Sequence, residues 1–176
     1  LTYCYKNDLF PMIIGPKGVG KTSAIKRVCE SLGKNLYTVN FSLRTREHNF
    51  LGRLDTQPDG SFVFKKGPLI RSMEDGAVLY LDELNLCDSG VLIRLDEALD
   101  FRREVNVDGT CYRAREGWWT IASINPIDRY HQGTHELPGQ LLSRYPVRIF
   151  MDYPDPSTEF KIVAMHVPQI EEKEKR

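Results

Sequence analysis

Apolar residues along the chain come in short runs that alternate with segments of helical spacing. LFPMII (9–14), NLYTVNF (35–41), AVLYLDEL (77–84), WWTIASINP (118–126) and PVRIFMDYP (146–154) read as strands. TSAIKRVCESL (22–32) and SGVLIRLDEALDF (89–101) carry apolar positions three and four apart and read as helices. Strands alternating with helices predict an α/β fold: a parallel five-stranded sheet with helices on both faces. The strand runs are nearly continuous in their apolar character, which a sheet covered on both faces requires. Two further segments break this alternation. TQPDGSFVF (56–64) and REVNVDGTCYRAR (103–115) each place an Asp-Gly pair between β-prone residues, Asp59-Gly60 and Asp108-Gly109, and read as hairpins added to the core.

The 176 residues suffice for one such domain. Net charge is zero, against the basic excess of a general nucleic-acid binder. No apolar run reaches the length of a membrane span and no signal peptide is visible. Cys4, Cys29, Cys87 and Cys111 are scattered without a CxxC pair, which reads as reduced thiols of a cytoplasmic protein. The chain starts at Leu1 and not Met, which reads as a fragment of a longer protein. EEKEKR at 171–176 reads as a solvated end.

The chemistry starts at GPKGVGKT, Gly15 to Thr22. It fits the phosphate-loop pattern G-x-x-x-x-G-K-[ST] and lies between a predicted strand (9–14) and a predicted helix. Glycines let the backbone curl so that its N–H groups face phosphate oxygens, and the helix start adds its positive dipole end. The candidate nucleotide contacts are Gly15, Pro16, Lys17, Gly18, Val19, Gly20, Lys21, Thr22 and Ser23. Lys21 would reach the β- and γ-phosphates, and Thr22 would offer its hydroxyl to Mg²⁺.

AVLYLDELN supplies the other half. An apolar strand ends there in two carboxylates, Asp82 for the metal and Glu83 to polarise the attacking water. WTIASINP ends in Asn125, whose amide would orient that water, although Asn-Pro also opens turns. LLSRYPVRI places Arg144 at the end of a short helix. A guanidinium there would act on a neighbouring subunit's γ-phosphate, or be an ordinary surface arginine.

GPKGVGKT, LYLDEL, ASINP and LLSRY, in that order, resemble an AAA+ ATPase. The fuller pattern is similar to the MoxR/dynein-related branch, which includes MoxR, CbbQ/NorQ, GvpN and the modules of midasin. In that branch a β-hairpin interrupts the second helix between an LGR motif and a GPL motif. Leu51-Gly52-Arg53 and Gly67-Pro68-Leu69 bracket Asp59-Gly60 in this way. The hairpin at Asp108-Gly109 matches the insertion before sensor 1. The likeness covers roughly Leu9 to Tyr153.

It implies a P-loop core over 1–153 and the start of a helical lid, largely missing, or a tail over 154–176. A lid helix from Ser157 to His166, capped by Ser157, is the reading of that segment. Lys21 and Thr22 take the Walker A roles, Asp82 and Glu83 Walker B, Asn125 sensor 1, and Arg144 the arginine finger. Asn40 sits where the family holds the Walker B glutamate inactive.

The implied activity is Mg²⁺-dependent hydrolysis of ATP by a homo-hexameric or pseudo-hexameric ring. The ring would remodel a protein client, reached through a von Willebrand factor A partner. The implied location is the cytoplasm, or the nucleus for a midasin-like module. Two alternatives stand beside it: a nucleic-acid motor of the McrB or helicase-loader kind, and a silent nucleotide-holding module. ATP over GTP comes from the resemblance alone.

Other features read as structural. His131 and His135 lack further metal ligands nearby, and Tyr130 with Gly133 fit the family's loop after sensor 1. Trp118 and Trp119 read as core, and Lys65, Lys66, Arg113 and Arg115 as solvated charge.

Overall fold

The structure, a computed structural model, describes residues 1–126 and 134–166. Tyr130, His131, Gly133 and the 171–176 tail lie outside the described residues. In chain order the elements begin with α1 (Thr2–Lys6), β1 (Pro11–Ile14), α2 (Lys21–Ser31), β2 (Leu36–Asn40) and α3 (Glu47–Phe50). Next come β3 (Gly52–Thr56), β4 (Phe62–Lys66), α4 (Pro68–Asp75) and β5 (Val78–Asp82). A 3₁₀ turn at Leu84–Leu86 leads to α5 (Ser89–Leu99), β6 (Glu104–Val107), β7 (Thr110–Arg113) and β8 (Trp119–Ile124). The last are α6 (Gly139–Arg144), β9 (Val147–Phe150) and α7 (Pro156–His166).

Five strands pair in parallel in the order β2-β5-β8-β1-β9. Val78 to Leu81 and Trp119 to Ser123 are buried at every consecutive position, so both faces of the central strands are covered. The register pairs Asn40 with Asp82, and Ile14 with Ile124 and Phe150. The carboxyl ends of all five strands therefore finish along one rim, and Gly15, Glu83 and Asn125 are the next residues out. Trp118 and Trp119 are buried, and their indole N–H groups donate to Ser72 Oγ (3.0 Å) and Leu9 O (2.8 Å).

β1 starts two residues later than the hydrophobic run suggests. The Leu9 N–H closes α1 by donating to Cys4 O, and Leu9 O accepts from Trp119, so that residue's polar groups are spent outside the sheet. α7 is capped by Asp155 and not by Ser157. The Asp155 carboxylate accepts from the Ser157 and Thr158 N–H groups and from both hydroxyls, which holds it down at about 2, below the usual carboxylate range. An acceptor-only carboxylate can take all four bonds, and Pro156 then fits the first helical position.

Both hairpins form. β6 and β7 join through Asp108 and Gly109, both at positive φ (48° and 78°), as a two-residue type I′ turn requires. β3 and β4 join through Pro58-Asp59-Gly60, with Gly60 N–H donating to Gln57 O. The first hairpin divides α3 from α4, and its Phe64 stacks on Tyr112 of the second at 6.2 Å. Lys66 pairs with Glu74 and Arg113 with Glu104, so these two cations are matched within the chain. Cys4, Cys29 and Cys87 are buried free thiols, and Cys111 is an exposed one.

Candidate active site

β1 hands the chain to α2 through Gly15–Gly20. Two of the glycines are obligatory for different reasons. A Cβ on Gly15 would lie 2.2 Å from Met151 O, so only glycine lets the loop run against the end of β9. Gly20 has φ 91° where it precedes α2, a conformation that side chains with a Cβ rarely adopt.

Lys21, the first residue of α2, is 8% exposed. Burial lowers its pKa, and the nearby Asp82 and Glu83 carboxylates oppose that shift. Its ammonium donates to Gly15 O, to Pro16 O (3.0 Å) and to Asn125 Oδ1 (3.0 Å), which uses all three protons. Asn125 Nδ2 in turn donates to Glu83 Oε1 (3.1 Å), and Lys17 Nζ reaches the same oxygen at 2.9 Å. Lys17, Glu83, Asn125 and Lys21 thus form one continuous polar chain. Asn85, buried, fixes the backbone of Asn125 from both sides: its amide donates to Asn125 O (2.9 Å) and accepts from Asn125 N–H (3.3 Å).

Glu83 leaves β5 in a left-handed conformation, φ 55° and ψ 40°. For a residue with a side chain this costs on the order of 1 kcal/mol and needs support from its surroundings. Its N–H donates to Ser123 Oγ (3.3 Å), and its carboxylate is held as above. Only Asp82, therefore, ends the strand; Glu83 is turned over the cavity by the bend.

Asp82 Oδ1 accepts from Tyr80 Oη (2.7 Å) and Ser123 Oγ (2.6 Å). Tyr80 is fully buried, and its phenol is pushed up to about 12 by burial. Tyr80, Ser123 and Asn85 were not singled out by the sequence. Tyr80 lies two residues before Asp82 on the same strand face, and that spacing was the available signal.

These side chains surround a cavity of about 300 Å³ lined by Lys17, Gly18, Gly20, Lys21, Thr22, Ser23, Asp82, Glu83 and Asn125. Gly15 and Pro16 line a neighbouring hollow with Pro126 and the end of β9. Val19 lines neither hollow and is partly exposed at the loop's crest. The donor set fits Mg²⁺: a hydroxyl and a carboxylate are hard oxygen ligands, and such a site normally completes its shell with substrate phosphates and water. Among the described residues no group of three or more His, Cys, Asp or Glu gathers as a self-sufficient metal cage.

Two predicted residues are placed apart from the cavity. Arg144, at the end of α6, bonds Asp96 Oδ1 through Nε (2.9 Å) and approaches Asp100 Oδ1 at 3.8 Å, contacts that raise its pKa further, the Asp96 bond foremost. Asn40 is exposed at the end of β2, paired in register with Asp82 on the neighbouring strand, while Glu83 Oε1 is held by Asn125 and Lys17. No helix among the described residues is long and apolar enough to cross a membrane.

Residues 11–145 match the family described as AAA domain (dynein-related subfamily). The chain is 33% identical over 160 residues to protein NorQ of Paracoccus denitrificans, covering 90% of this chain and 58% of that protein. It is 32% identical over 150 residues to an uncharacterized protein of Staphylococcus saprophyticus, covering 82% and 56%. The chain thus spans somewhat over half the length of these relatives. Its fold is similar to that of a crystal structure from Cytophaga hutchinsonii, with TM-score 0.74 at 20% identity, over 92% of this chain and 47% of the other.

Proposed function

The chain belongs to the dynein-related subfamily of AAA domains, and on that premise we propose that it is a Mg²⁺-dependent ATPase module. In this reading it works within a homo-hexameric or pseudo-hexameric ring that remodels a protein client. The observation that carries the reading is the convergence of Lys21, Thr22, Asp82, Glu83 and Asn125, from three separate segments, on one small cavity.

Phosphates would enter over Gly15–Thr22, and Lys21 would exchange its loop carbonyls for their oxygens. Thr22 and Asp82 would hold Mg²⁺, which neutralises charge on the phosphates when bound. Glu83 would accept the proton of the attacking water as that water's oxygen bonds to the γ-phosphorus and ADP departs. Asn125, already fixed by Asn85 and bonded to Glu83, would orient that water. Arg144 would serve the site of an adjoining subunit, and movement of the ring would pass to a client through the hairpins or a von Willebrand factor A partner.

The test is ATP turnover per protomer measured across protein concentration, with Glu83→Gln as control. Turnover that rises with concentration and falls by about 10²-fold or more in the variant supports the reading, that being the scale of a lost general base. Nucleotide binding without turnover at every concentration, in the full-length chain, would make this a structural nucleotide-holding module.

A further inference from the structure

Three groups around Asp82, the Tyr80 and Ser123 hydroxyls and the Glu83 N–H, make a directed set of hydrogen bonds that nothing in the ATPase reading itself demands. Asp82 Oδ1 receives the protons of Tyr80 Oη and Ser123 Oγ, at 2.7 and 2.6 Å. A carboxylate accepts only, and each hydroxyl has one proton, so both are committed there. The 3.0 Å contact between the two hydroxyls then has no proton of its own. Ser123 Oγ has lone pairs left and accepts from Glu83 N–H. Donation therefore converges on Asp82, from Tyr80 directly and from Glu83 through Ser123.

With Oδ1 held twice, the Asp82 carboxylate cannot rotate freely. Among the described residues no hydrogen bond reaches its Oδ2, while Asp82 lines the cavity.

We propose that Tyr80 is a positioning residue for the metal: together with Ser123, its phenol fixes the Asp82 carboxylate through Oδ1 as an oxygen ligand before nucleotide arrives. This rests on the reading of the cavity as an Mg²⁺–nucleotide site. Ser123 holds the same oxygen as Tyr80 does. The phenol is suited to the task because Tyr80 is buried in the sheet and its ring leaves the oxygen little freedom.

The experiment is a titration of the full chain with Mg²⁺ at fixed fluorescent ATP analogue, read by analogue fluorescence and repeated in EDTA. Tyr80→Phe keeps the ring and removes the oxygen. The expected result is a Mg²⁺ midpoint raised by about 3- to 10-fold, the range for losing one ordinary net hydrogen bond, with affinity in EDTA unchanged. Ser123→Ala is expected to move the midpoint in the same direction. A Tyr80→Phe midpoint within a factor of about 2 of the parent's, below one such bond, overturns the proposal. So does an equal loss with and without Mg²⁺, which marks a packing role. If the parent chain binds the analogue with no response to Mg²⁺, the reading of the cavity falls, and the positioning role with it.

Discussion

Around Lys21, two ammonium groups, an amide and a carboxylate from three parts of the sequence lock together at the rim of the sheet, within one chain. At the end of α6, Arg144 is held by two neighbouring carboxylates, Asp96 of α5 and Asp100 just past its end, and lines no part of that cavity. The first arrangement is a chamber, and the second is a mount. Nε and Nη1 face the mount, and among the described residues no hydrogen bond or ion pair engages Nη2. Arg144 is thus stabilised outside the polar network that links Lys17 to Lys21, which accords with the role proposed for it at an adjoining subunit's site.

Four substitutions, with Glu83→Gln as a mixing partner, test this contrast. Arg144→Ala should lower turnover by about 10³-fold, as for an arginine finger, and leave nucleotide affinity unchanged in a fluorescence titration. Mixing Arg144→Ala with Glu83→Gln protomers should restore part of the turnover, because some interfaces regain both halves. No recovery would mean that both halves act within one chain. Lys21→Ala should weaken nucleotide binding by roughly 10- to 100-fold, the scale of lost charged hydrogen bonds, while mixing rescues nothing in its own site. Asp96→Asn loosens the mount and leaves the chamber intact; turnover should fall by less than about 10-fold, as for a part-exposed ion pair, at unchanged affinity. Lys17→Ala removes the most exposed member of the chamber and should change either quantity by under about threefold. A larger effect would show that the Lys17–Glu83 pair governs the glutamate.

The readability of these parts from sequence follows their locality. GPKGVGKT could be read because its pattern, its strand and its helix are contiguous. Asp82 and Glu83 could be read because a polar pair ending an apolar run is conspicuous. The five strands and both hairpins were legible for the same reason, through run length and Asp-Gly turns. Tyr80 was not, because a tyrosine inside AVLYLDEL counts as one more apolar residue, and its hydroxyl matters only once Ser123 is folded beside it and Asp82. The left-handed turn at Glu83 carries no glycine to announce it. Asp155 was passed over because DYPDPSTE offers several capping residues, and only the fold decides which faces the helix. Asn40 was placed from the resemblance alone, since nothing local in NLYTVNF marks its role.

The bare Cα of Gly15 beneath Met151 O has a mechanical meaning. Met151 N–H also donates to Ile14 O (2.8 Å), and the Tyr153 hydroxyl donates to Lys17 O (2.9 Å), so the loop is stitched to the connector that becomes α7 three residues later. On the function proposed above, a shift of the loop as phosphates arrive would pass through that seam to the connector, and α7 would be the pointer of a gauge whose pivot is a missing methyl group.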